Sequence, residues 1–422
     1  MELQQSDPVL EAFEKLRVRE VRAYDYPSAS AFLAKFQSSA ASLEPDERIK
    51  LVVSTHESME FLKAVLSDPQ ASKICFLRWH CSEEEDVNSV VSLLTNNCPE
   101  LASLRVEFGN YYAFDFVSSM LEHPSNKLKV LEMPKYRGDS TRFFATLGQS
   151  QVSALTLSYS PKFAQGLFEY LARDLLVRLK VTTYFERVPP GMMMSLADCT
   201  RLAELEILGC EFSQPTAFTH VPKSVTKLEL ENCTFVGGFD WSFLADSNVR
   251  DLDFDGVSGV DGKRLGGALA VQSRAKGLDK LRLYHCYFVN GTLAAVGVEL
   301  GRVKRLDSSH NELNDASVVQ IALALKSPNS ELRKLELEYE GDTERSIEDQ
   351  LVPALKHPNC NLIKLHLVAR REHKEAAKKV EDRFHNRRAL FVLLQGRQVK
   401  RRYCPLRRLP VEMFRLVGMV LI

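Results

Sequence analysis

Apolar residues in the segment LAELEILGCEF (residues 202–212) have a spacing that neither a helix face nor a simply alternating strand explains. They stand at offsets 0, 3, 5 and 10 from the first leucine, and a cysteine stands at offset 8. The same arrangement recurs in VTKLELENCTF (225–235) and in LDKLRLYHCYF (278–288). The recurrence indicates a repeated structural unit rather than one isolated element.

The first half of this spacing, apolar-x-x-apolar-x-apolar, recurs fourteen times at intervals of 23 to 31 residues. The first residues of the matches are Val18, Ile49, Ile74, Leu101, Leu128, Val152, Leu176, Leu202, Val225, Val249, Leu278, Val303, Leu332 and Leu362. Offsets 3 and 5 are apolar nearly throughout, with Ser54 and Ser308 as exceptions. Two apolar residues separated by one other residue are typical of a short strand with one buried face, so each match predicts a strand.

Segments with helical periodicity lie between the predicted strands. Apolar residues at i, i+3 and i+4 mark residues 57–66, 85–96, 114–122 and 316–326. Several helical segments lead into the similar sequences EHPSN, KSPNS and KHPNC, where the proline stops the helix and a polar turn precedes the next strand. Each repeat is therefore expected to be a strand followed by a helix that packs on it.

The pattern resembles the leucine-rich repeat, L-x-x-L-x-L-x-x-N/C-x-L. Cys210, Cys233, Cys286 and Asn311 occupy the N/C position, where a small side chain satisfies backbone groups buried in the bend. The resemblance implies a curved α/β solenoid, with a parallel sheet on the concave face, helices on the convex face and helical caps. Repeats of nearly 30 residues are similar to the ribonuclease-inhibitor subtype, and the shorter repeats with cysteine are similar to the cysteine-containing subtype.

Four segments are expected along the chain. Residues 1–16 would form an N-terminal capping helix, with Asp7 as its N-cap and Pro8 at its first helical position. Residues 17–370 would form the leucine-rich-repeat solenoid, and residues 371–398 a C-terminal capping helix. Residues 399–422 would form a basic link followed by a short helix that begins at a Leu-Pro pair.

Charge is balanced over the whole chain and uneven locally. There are 55 Lys and Arg against 55 Asp and Glu, so no overall field favours nucleic acid or an anionic membrane. Between Arg370 and Arg408 there are 14 basic and 4 acidic residues, a local charge of +10. No apolar stretch approaches the 18 residues or so that a membrane-spanning helix needs, and no membrane partner is predicted.

The N-terminus and the cysteines indicate where the protein works. The first residues are acidic, without a basic segment and an apolar run, so no secretory signal is predicted. Nine cysteines without paired spacing indicate reduced thiols. We expect an intracellular, cytoplasmic protein, and the basic clusters at 400–402 and 407–408 leave a nuclear-import signal open.

Motifs that carry catalytic chemistry are missing from the sequence. It contains no GxxxxGK[ST], no GxSxG, no HExxH and no CxxC. The pairs His80-Cys81 and His285-Cys286 suggest a metal site only weakly, because Cys286 is already the turn residue of its repeat. We predict no catalytic residues, no cofactor and no metal site. An enzyme in the irregular stretch 176–199 is the alternative of a different class.

Side chains at offsets 2, 4 and 6 alternate with the buried ones and are expected on the concave face. Three neighbouring predicted strands place seven carboxylates there, with Lys227 between them: Glu204, Glu206, Glu229, Glu231, Asp251, Asp253 and Asp255. Like charges on adjacent strands repel, so this acidic strip predicts a protein partner with a basic segment. The predicted partner-binding residues are Glu206, Glu229, Glu231, Asp253, Asp255, Arg282 and Tyr284. A solvated face and a loosely held divalent cation are the alternatives.

The same face is basic nearer the N-terminus, at Arg78, Arg105, Arg178 and Lys180. A face with both signs suits a protein partner better than a nucleic acid, so no specific nucleic-acid binding is predicted. The basic segment belongs either to a partner or, as the alternative, to the chain's own residues 400–408.

The segment LPVEMFRLVGMVL (409–421) is similar to the first helix of an F-box and to the Leu-Pro end of a SOCS box. Both modules recruit ubiquitin-ligase components, although the segment is too short to form a whole F-box. A helix folded back on the solenoid is the other interpretation. The sequence thus predicts a non-enzymatic protein-binding scaffold. The alternative is an intracellular receptor or a ubiquitin-ligase substrate adaptor that docks a second protein through this helix.

Overall fold

The computed structural model describes residues 17–385 except 24–25, 27, 54–57, 82–86, 109–112, 136–139, 159–163, 172–173, 188–193, 214–217, 219–220, 272–276, 287–291, 340–346, 370–374 and 376. These residues belong to two compact units. Unit 1 comprises the described residues of Met1–Phe212 and His220–Thr226, and unit 2 comprises those of Ser213–Thr219 and Lys227–Ile422.

Unit 1 contains a parallel sheet whose strands follow one another in sequence order. The strands are β1 (Arg17–Arg22), β2 (Glu47–Val53), β3 (Ile74–Cys81), β4 (Ser103–Phe108), β5 (Val130–Lys135), β6 (Ala154–Ser158), β7 (Arg178–Arg187) and β8 (Glu204–Phe212). Leucines at the repeated offset are aligned, because Leu77 is the register partner of Leu104 and Leu104 is that of Leu131. All three are completely buried. The repeated spacing therefore builds a continuous leucine core.

Helices connect most strands of unit 1. They are α1 (Ala29–Ala41), α2 (Ser58–Leu66), α3 (Val87–Asn97), α4 (Ala113–Glu122), α5 (Thr141–Leu147) and α6 (Ala164–Leu171). The helices predicted at 57–66, 85–96 and 114–122 are confirmed within two residues at each end. Helix α1 begins after Ser28, whose hydroxyl accepts a hydrogen bond from the Ala31 amide at 3.3 Å. Its Phe32 and Phe36 are completely buried, which anchors the helix in the core.

Unit 2 has the same plan. Its parallel strands are paired in the order β9 (Lys227–Glu231), β11 (Asp251–Asp255), β12 (Lys280–Tyr284), β13 (Arg305–Leu313), β14 (Lys334–Tyr339) and β15 (Lys364–Ala369), and β10 (Thr234–Phe235) is a two-residue strand. Leu252, Leu281 and Leu306 are aligned across three of these strands and are almost completely buried. The leucine core of unit 1 thus has a direct counterpart in unit 2.

The helices of unit 2 differ in length. They are α7 (Phe243–Asp246), α8 (Gly262–Val271), α9 (Thr292–Val296), α10 (Asp315–Lys326) and α11 (Val352–Lys356). Helix α10 confirms the prediction at 316–326 and starts one residue earlier. The Asn314 side chain caps it by accepting a hydrogen bond from the Ser317 amide at 3.0 Å, and Val318, Ile321 and Leu325 are buried.

Aromatic rings replace a long helix in the repeat that starts at Val225. This repeat contains only the four-residue helix α7. The ring of Phe239 lies 4.5 Å from that of Trp241, 4.6 Å from Phe235 and 5.3 Å from Phe254, measured between centroids. These residues are buried. Large rings in edge-to-face contact therefore fill the space that helical side chains fill in other repeats.

The residue at offset 8 turns the chain inward, as predicted. The thiol of Cys286 donates to the carbonyls of Tyr284 at 3.3 Å and Phe254 at 3.4 Å, and all three turn cysteines are buried. Asn311 donates to the carbonyl of Leu283, and its Oδ1 accepts from the Cys286 amide at 2.8 Å. A small polar side chain at this position therefore satisfies buried backbone groups within and between repeats.

The residue before this turn has a left-handed backbone in five repeats, which the sequence analysis did not predict. These residues are Gly209, Asn232, Gly256, His285 and His310, with φ between 51° and 66°. A Cβ added at Gly256 would lie 2.5 Å from Oδ1 of Asn232. Glycine and asparagine suit this conformation best, so their presence at offset 7 is the signal that could have revealed it.

The second repeat corrects the predicted alignment by one residue. The spacing predicted Val52 and Ser54 at offsets 3 and 5, but Leu51 pairs with Leu77 and Val53 with Trp79. A register shift after Ile49 accommodates the difference. The run of apolar residues in β2 hides the alternation that fixes register elsewhere, and all of its last three residues are buried.

The last described residues pack against the final strand. Residues 377–385 are helical, with Ala377, Val380 and Phe384 buried. The carboxylate of Glu381 accepts a hydrogen bond from the Leu367 amide of β15 at 2.6 Å. The predicted capping helix at 1–16 and the predicted link and Leu-Pro helix at 399–422 lie outside the described residues.

Each unit is thus a succession of parallel strands, one per repeat, joined by segments that carry buried apolar side chains. This arrangement confirms the predicted fold class, an α/β leucine-rich-repeat solenoid.

Candidate functional site

Alternation along the strands gives the sheet of unit 2 one buried face and one open face. In β9 and β12 the second and fourth residues are buried, and the first, third and fifth are partly exposed. We call the surface formed by the first, third and fifth residues of the unit 2 strands the open face. It contains every predicted partner-binding residue except Glu206, which lies in unit 1 on β8.

Register, together with the alternation of side chains along β13, divides the open face into three rows that run across the strands. The first row is Lys227, Asp251, Lys280, Arg305, Lys334 and Lys364. The second row is Glu229, Asp253, Arg282, Asp307, Glu336 and His366. The third row is Glu231, Asp255, Tyr284, Ser309, Glu338 and Val368. The first row has five cations and one carboxylate, whereas the other two rows together have seven carboxylates and the single arginine Arg282.

Arg282 is the centre of an ion-pair network on the open face. Its guanidinium lies 3.0 Å from Asp253, 3.2 Å from Asp255 and 3.6 Å from Asp307. Burial lowers the pKa of Arg282, but the three carboxylates outweigh it and the pKa is raised. Arg282 therefore stays charged and holds three neighbouring strands together through their carboxylates.

Asp253 is the most enclosed carboxylate of the predicted site. Only 8 % of its side chain is exposed, and it receives Lys280 at 2.5 Å in addition to Arg282. The Lys280 contact is diagonal, because the register partner of Lys280 is Asp251. A carboxylate this enclosed needs its cations, so Asp253 stabilises the sheet and offers little surface to a partner.

The carboxylates of β9 and of the third row are more accessible. Glu229 forms an ion pair with Lys227 of the same strand at 3.0 Å, and 26 % of the Glu229 side chain is exposed. Glu231 faces Asp255 in the register and accepts a hydrogen bond from the Asn232 side chain at 3.3 Å. These side chains keep oxygen atoms on the open face.

An aromatic group separates Glu231 and Asp255 from Glu338 in the third row. The guanidinium of Arg282 lies 4.5 Å from the ring centroid of Tyr284, and the ring of His310 lies 4.6 Å from it on edge. His310 also lies 3.2 Å from Glu338, whose carboxylate accepts the His310 amide at 2.6 Å. Tyr284 is therefore held in place by a cation and a second ring.

Two cations of the first row face solvent without an ion pair to any residue in the described part of the chain. They are Arg305 and Lys334, both exposed and neighbours in the register. The next cation, Lys364, bridges diagonally to Glu336 at 2.8 Å and remains 54 % exposed. From the sequence, only Lys227 and Asp251 of the first row were singled out. A basic residue directly before the offset-3 leucine in five repeats of unit 2 was the signal of the other cations.

In unit 1 the charges of the sheet face are interleaved. Arg105 lies 2.9 Å from Glu107 and 3.1 Å from Glu132, and Arg78 lies 3.2 Å from Glu107. Burial raises the pKa of Glu107, but the hydrogen bond from Arg105 and the charges of Arg105, Arg78 and His80 outweigh it, so the pKa is lowered. Most charges named here therefore have an opposite neighbour.

The carboxylates of β8 also have cations beside them. Glu206 pairs with Lys180, its register partner on β7, and Glu204 is held by Arg178 through contacts of 2.8 and 3.1 Å. In the sequence, seven carboxylates of the predicted acidic strip stand against one lysine, Lys227. The structure shows that Arg178, Lys180, Lys280 and Arg282 neutralise several of them, because ion pairs form between neighbouring strands that are far apart in sequence.

The buried cysteines are poor nucleophiles. Burial raises the pKa of Cys286 to about 12, and that of Cys199 to about 12 with smaller contributions from Asp174 and Asp198. Within the described ranges, His, Cys, Asp and Glu side chains form no group of three or more that could hold a metal ion. Among the helices described, none has the length and apolar character to cross a bilayer.

No family model and no curated protein match the sequence. An internalin, inlF of Listeria monocytogenes, is a similar solved structure, with 13 % identity, a TM-score of 0.43, and coverage of 80 % of this chain and 92 % of the internalin. The plant peptide hormone receptor RGFR1, solved in complex with RGF2, is 12 % identical, with a TM-score of 0.31. That match covers 76 % of this chain and 55 % of the receptor. Similarity at this level carries no information about the ligand of this chain.

Proposed function

We propose that this leucine-rich-repeat protein is a non-enzymatic scaffold that binds a protein partner on the open face of unit 2, through a basic segment of that partner. The observation that carries the proposal is the separation of charge: seven carboxylates against one cation in the second and third rows. Separated charge produces a directional field, which steers association and selects a partner of opposite pattern.

We divide the predicted site into supporting and contacting residues. Asp253 and Arg282 are engaged with each other and with neighbouring strands, so we assign them to positioning the face. Glu229, Glu231, Asp255 and Tyr284 are assigned to partner contact. Glu206 is kept as a contact residue of unit 1, with its charge shared with Lys180.

Three finer predictions accompany this proposal. An intracellular, cytoplasmic location is proposed because the cysteines lack the spacing of a disulfide framework and those that the structure describes are free. Nuclear import through residues 400–408 is kept as a further proposal. The two repeat subtypes follow from the repeat lengths and the turn cysteines. The second candidate function is a ubiquitin-ligase substrate adaptor, which the Leu-Pro segment at 409–421 favours.

The test is selection of binding peptides from a random library displayed on phage, with the full chain as bait. The enriched peptides should be richer in Lys and Arg than the unselected library, and their affinity should fall as ionic strength rises from about 0.05 to about 0.5 M. The variant Glu229→Lys/Glu231→Lys should lose this binding. The matched control is Glu331→Lys/Asp349→Lys, which makes the same change in net charge at exposed residues away from the open face.

Circular dichroism and Tm establish whether both variants fold. If Glu229→Lys/Glu231→Lys does not fold, Glu229→Gln/Glu231→Gln is tested in its place. Enrichment of peptides that are no richer in Lys and Arg than the unselected library would contradict the proposal. So would basic peptides that bind the reversed variant as tightly as the wild type.

A further inference from the structure

We infer that the segment bound by the open face is an α-helix that lies across the strands, with acidic residues over the first row and basic residues over the third row. The inference rests on the proposed function and specifies the shape and charge pattern of the partner.

The spacing of charges along a row favours a helix. Neighbouring strands are about 4.8 Å apart, so successive charges of a row repeat at about that distance. Residues three or four apart on a helix have Cβ atoms about 5–6 Å apart, close enough to follow the row. Same-side residues of an extended chain repeat at about 6.6 Å, twice the rise of a strand residue. An extended segment therefore loses alignment with the strands within a few residues.

The distance between the rows also fits a helix. The first and third rows are four residues apart along a strand, about 13 Å at strand geometry. A helix with its side chains is about 10–12 Å wide. Side chains from its two flanks can therefore reach the first and third rows while its underside rests on the second row.

The charges of the first and third rows set the pattern required of the helix. Arg305 and Lys334 have no ion pair within the part of the chain that the structure describes, and they lie side by side in the first row. Across the face, Asp255 and Glu338 bracket Tyr284 in the third row. Carboxylates on one flank of the helix would pair with the two cations. Lysine or arginine on the other flank would pair with the acidic residues, beside the ring of Tyr284.

This pattern distinguishes the inferred partner from a uniformly basic segment. A basic segment placed over the whole face would bring positive charge against Arg305 and Lys334, which is repulsive. A helix with two charged flanks avoids this repulsion and binds in a single orientation.

The experiment uses four synthetic peptides of about 20 residues. The first, second and fourth are held in a helical conformation by lactam bridges, because isolated peptides of this length are marginally helical in water. The first has a glutamate flank and a lysine flank. The second has the same composition with the two charges mixed around the helix. The third has the first sequence with central prolines and no bridges, and the fourth is a helix with lysine as its only charged residue. Affinity for the full chain is measured by fluorescence anisotropy.

The two-flank helix should bind at least about tenfold more tightly than the mixed and proline peptides. Arg305→Glu/Lys334→Glu should weaken the two-flank helix about tenfold, about 1.4 kcal/mol, and leave the lysine-only helix unchanged or tighter. The control Lys263→Glu/Lys378→Glu reverses two exposed lysines on helices of unit 2 and should leave the two-flank helix within about twofold.

Equal binding of the mixed or proline peptides would overturn the helical inference. So would insensitivity of the two-flank helix to the Arg305/Lys334 reversal. If the lysine-only helix binds in either case, the proposed function stands without the inference. If all four peptides fail to bind, the proposed function fails together with it.

Discussion

The sheet faces of the two units use the same kinds of residue in different arrangements. In unit 1, Arg78, Glu107, Arg105 and Glu132 form a chain of alternating charges. In unit 2, five of the six Lys and Arg residues of the open face lie in the first row and seven of its eight carboxylates in the other two, with Arg282 as the central link. Alternating charges satisfy one another within the protein, whereas separated charges leave a pattern for a second molecule. The arrangement of charges, rather than their number, thus supports the open face of unit 2 as the proposed binding face.

The leucine cores are the part of the two units that should behave alike. Leu104→Ala in unit 1 and Leu281→Ala in unit 2 should each destabilise their unit by about 2–5 kcal/mol, because both side chains are completely buried between aligned leucines. Hydrogen exchange followed by mass spectrometry checks this, and protection should fall first in the repeats next to the substitution. Uniform loss of protection throughout the chain would mean that the repeats do not respond locally.

The enclosed carboxylate of unit 2 should matter more for stability than its counterpart in unit 1. Asp253→Ala should destabilise by about 2–3 kcal/mol, because it leaves Lys280 and Arg282 facing each other without their shared anion. Glu107→Ala should have a smaller effect, about 1 kcal/mol, because its cations are more exposed and Arg105 keeps Glu132. Urea denaturation of the two variants measures the difference, and equal losses would contradict the distinction.

Acid should weaken the interleaved charges of unit 1 through Glu107. Its pKa is lowered in the folded state, so its contribution to stability is complete above the unfolded value of about 4.5 and is lost as pH falls through the folded pKa. The free energy of unfolding of the wild type should therefore drop between pH 6 and pH 3 by more than that of Glu107→Gln, on the order of 1 kcal/mol more. Parallel pH profiles would assign the acid sensitivity to other groups.

The cysteines should show the smallest difference, one of labelling rate. Cys360 in unit 2 is partly exposed, whereas Cys75, Cys98 and Cys210 in unit 1 are buried, so iodoacetamide should modify Cys360 before the other six cysteines whose burial the structure describes. Cys286 should react slowly up to alkaline pH, since burial raises its pKa to about 12. Peptide mapping resolves the sites. Rapid modification of Cys286 without denaturant would contradict its place as a buried turn residue.

Much of the fold followed from the sequence because one repeated spacing encodes both the strands and their burial. Offsets 3 and 5 identified core residues such as Leu205 and Leu335, and the helical stripes gave three helices of unit 1 and α10 of unit 2 within two residues. The prediction was wrong by one residue in β2, where an apolar run has no alternation to read. The aromatic filling around Phe239 was not predicted, because no short-range period marks it.

The candidate site was less accessible to sequence reasoning. The alternation placed Glu229, Asp253 and Arg282 on one face correctly, since side-chain direction depends only on position along the strand. The ion pairs were missed because they join residues about 26 to 29 positions apart, such as Arg282 and Asp253. Which carboxylates remain for a partner depends on those pairs. Only the register of neighbouring strands reveals them.

The sequential order of the strands has a consequence for how each unit bears mechanical load. Within each unit, the hydrogen bonds between neighbouring strands point from one repeat to the next. A force that separates the first and last strands of a unit therefore acts along these bonds, and every strand pair carries the full tension in series. The weakest pair yields first and releases one repeat of chain, while the remaining pairs keep their core. Under tension, each unit should then unfold and lengthen in steps of one repeat, rather than unfold all at once.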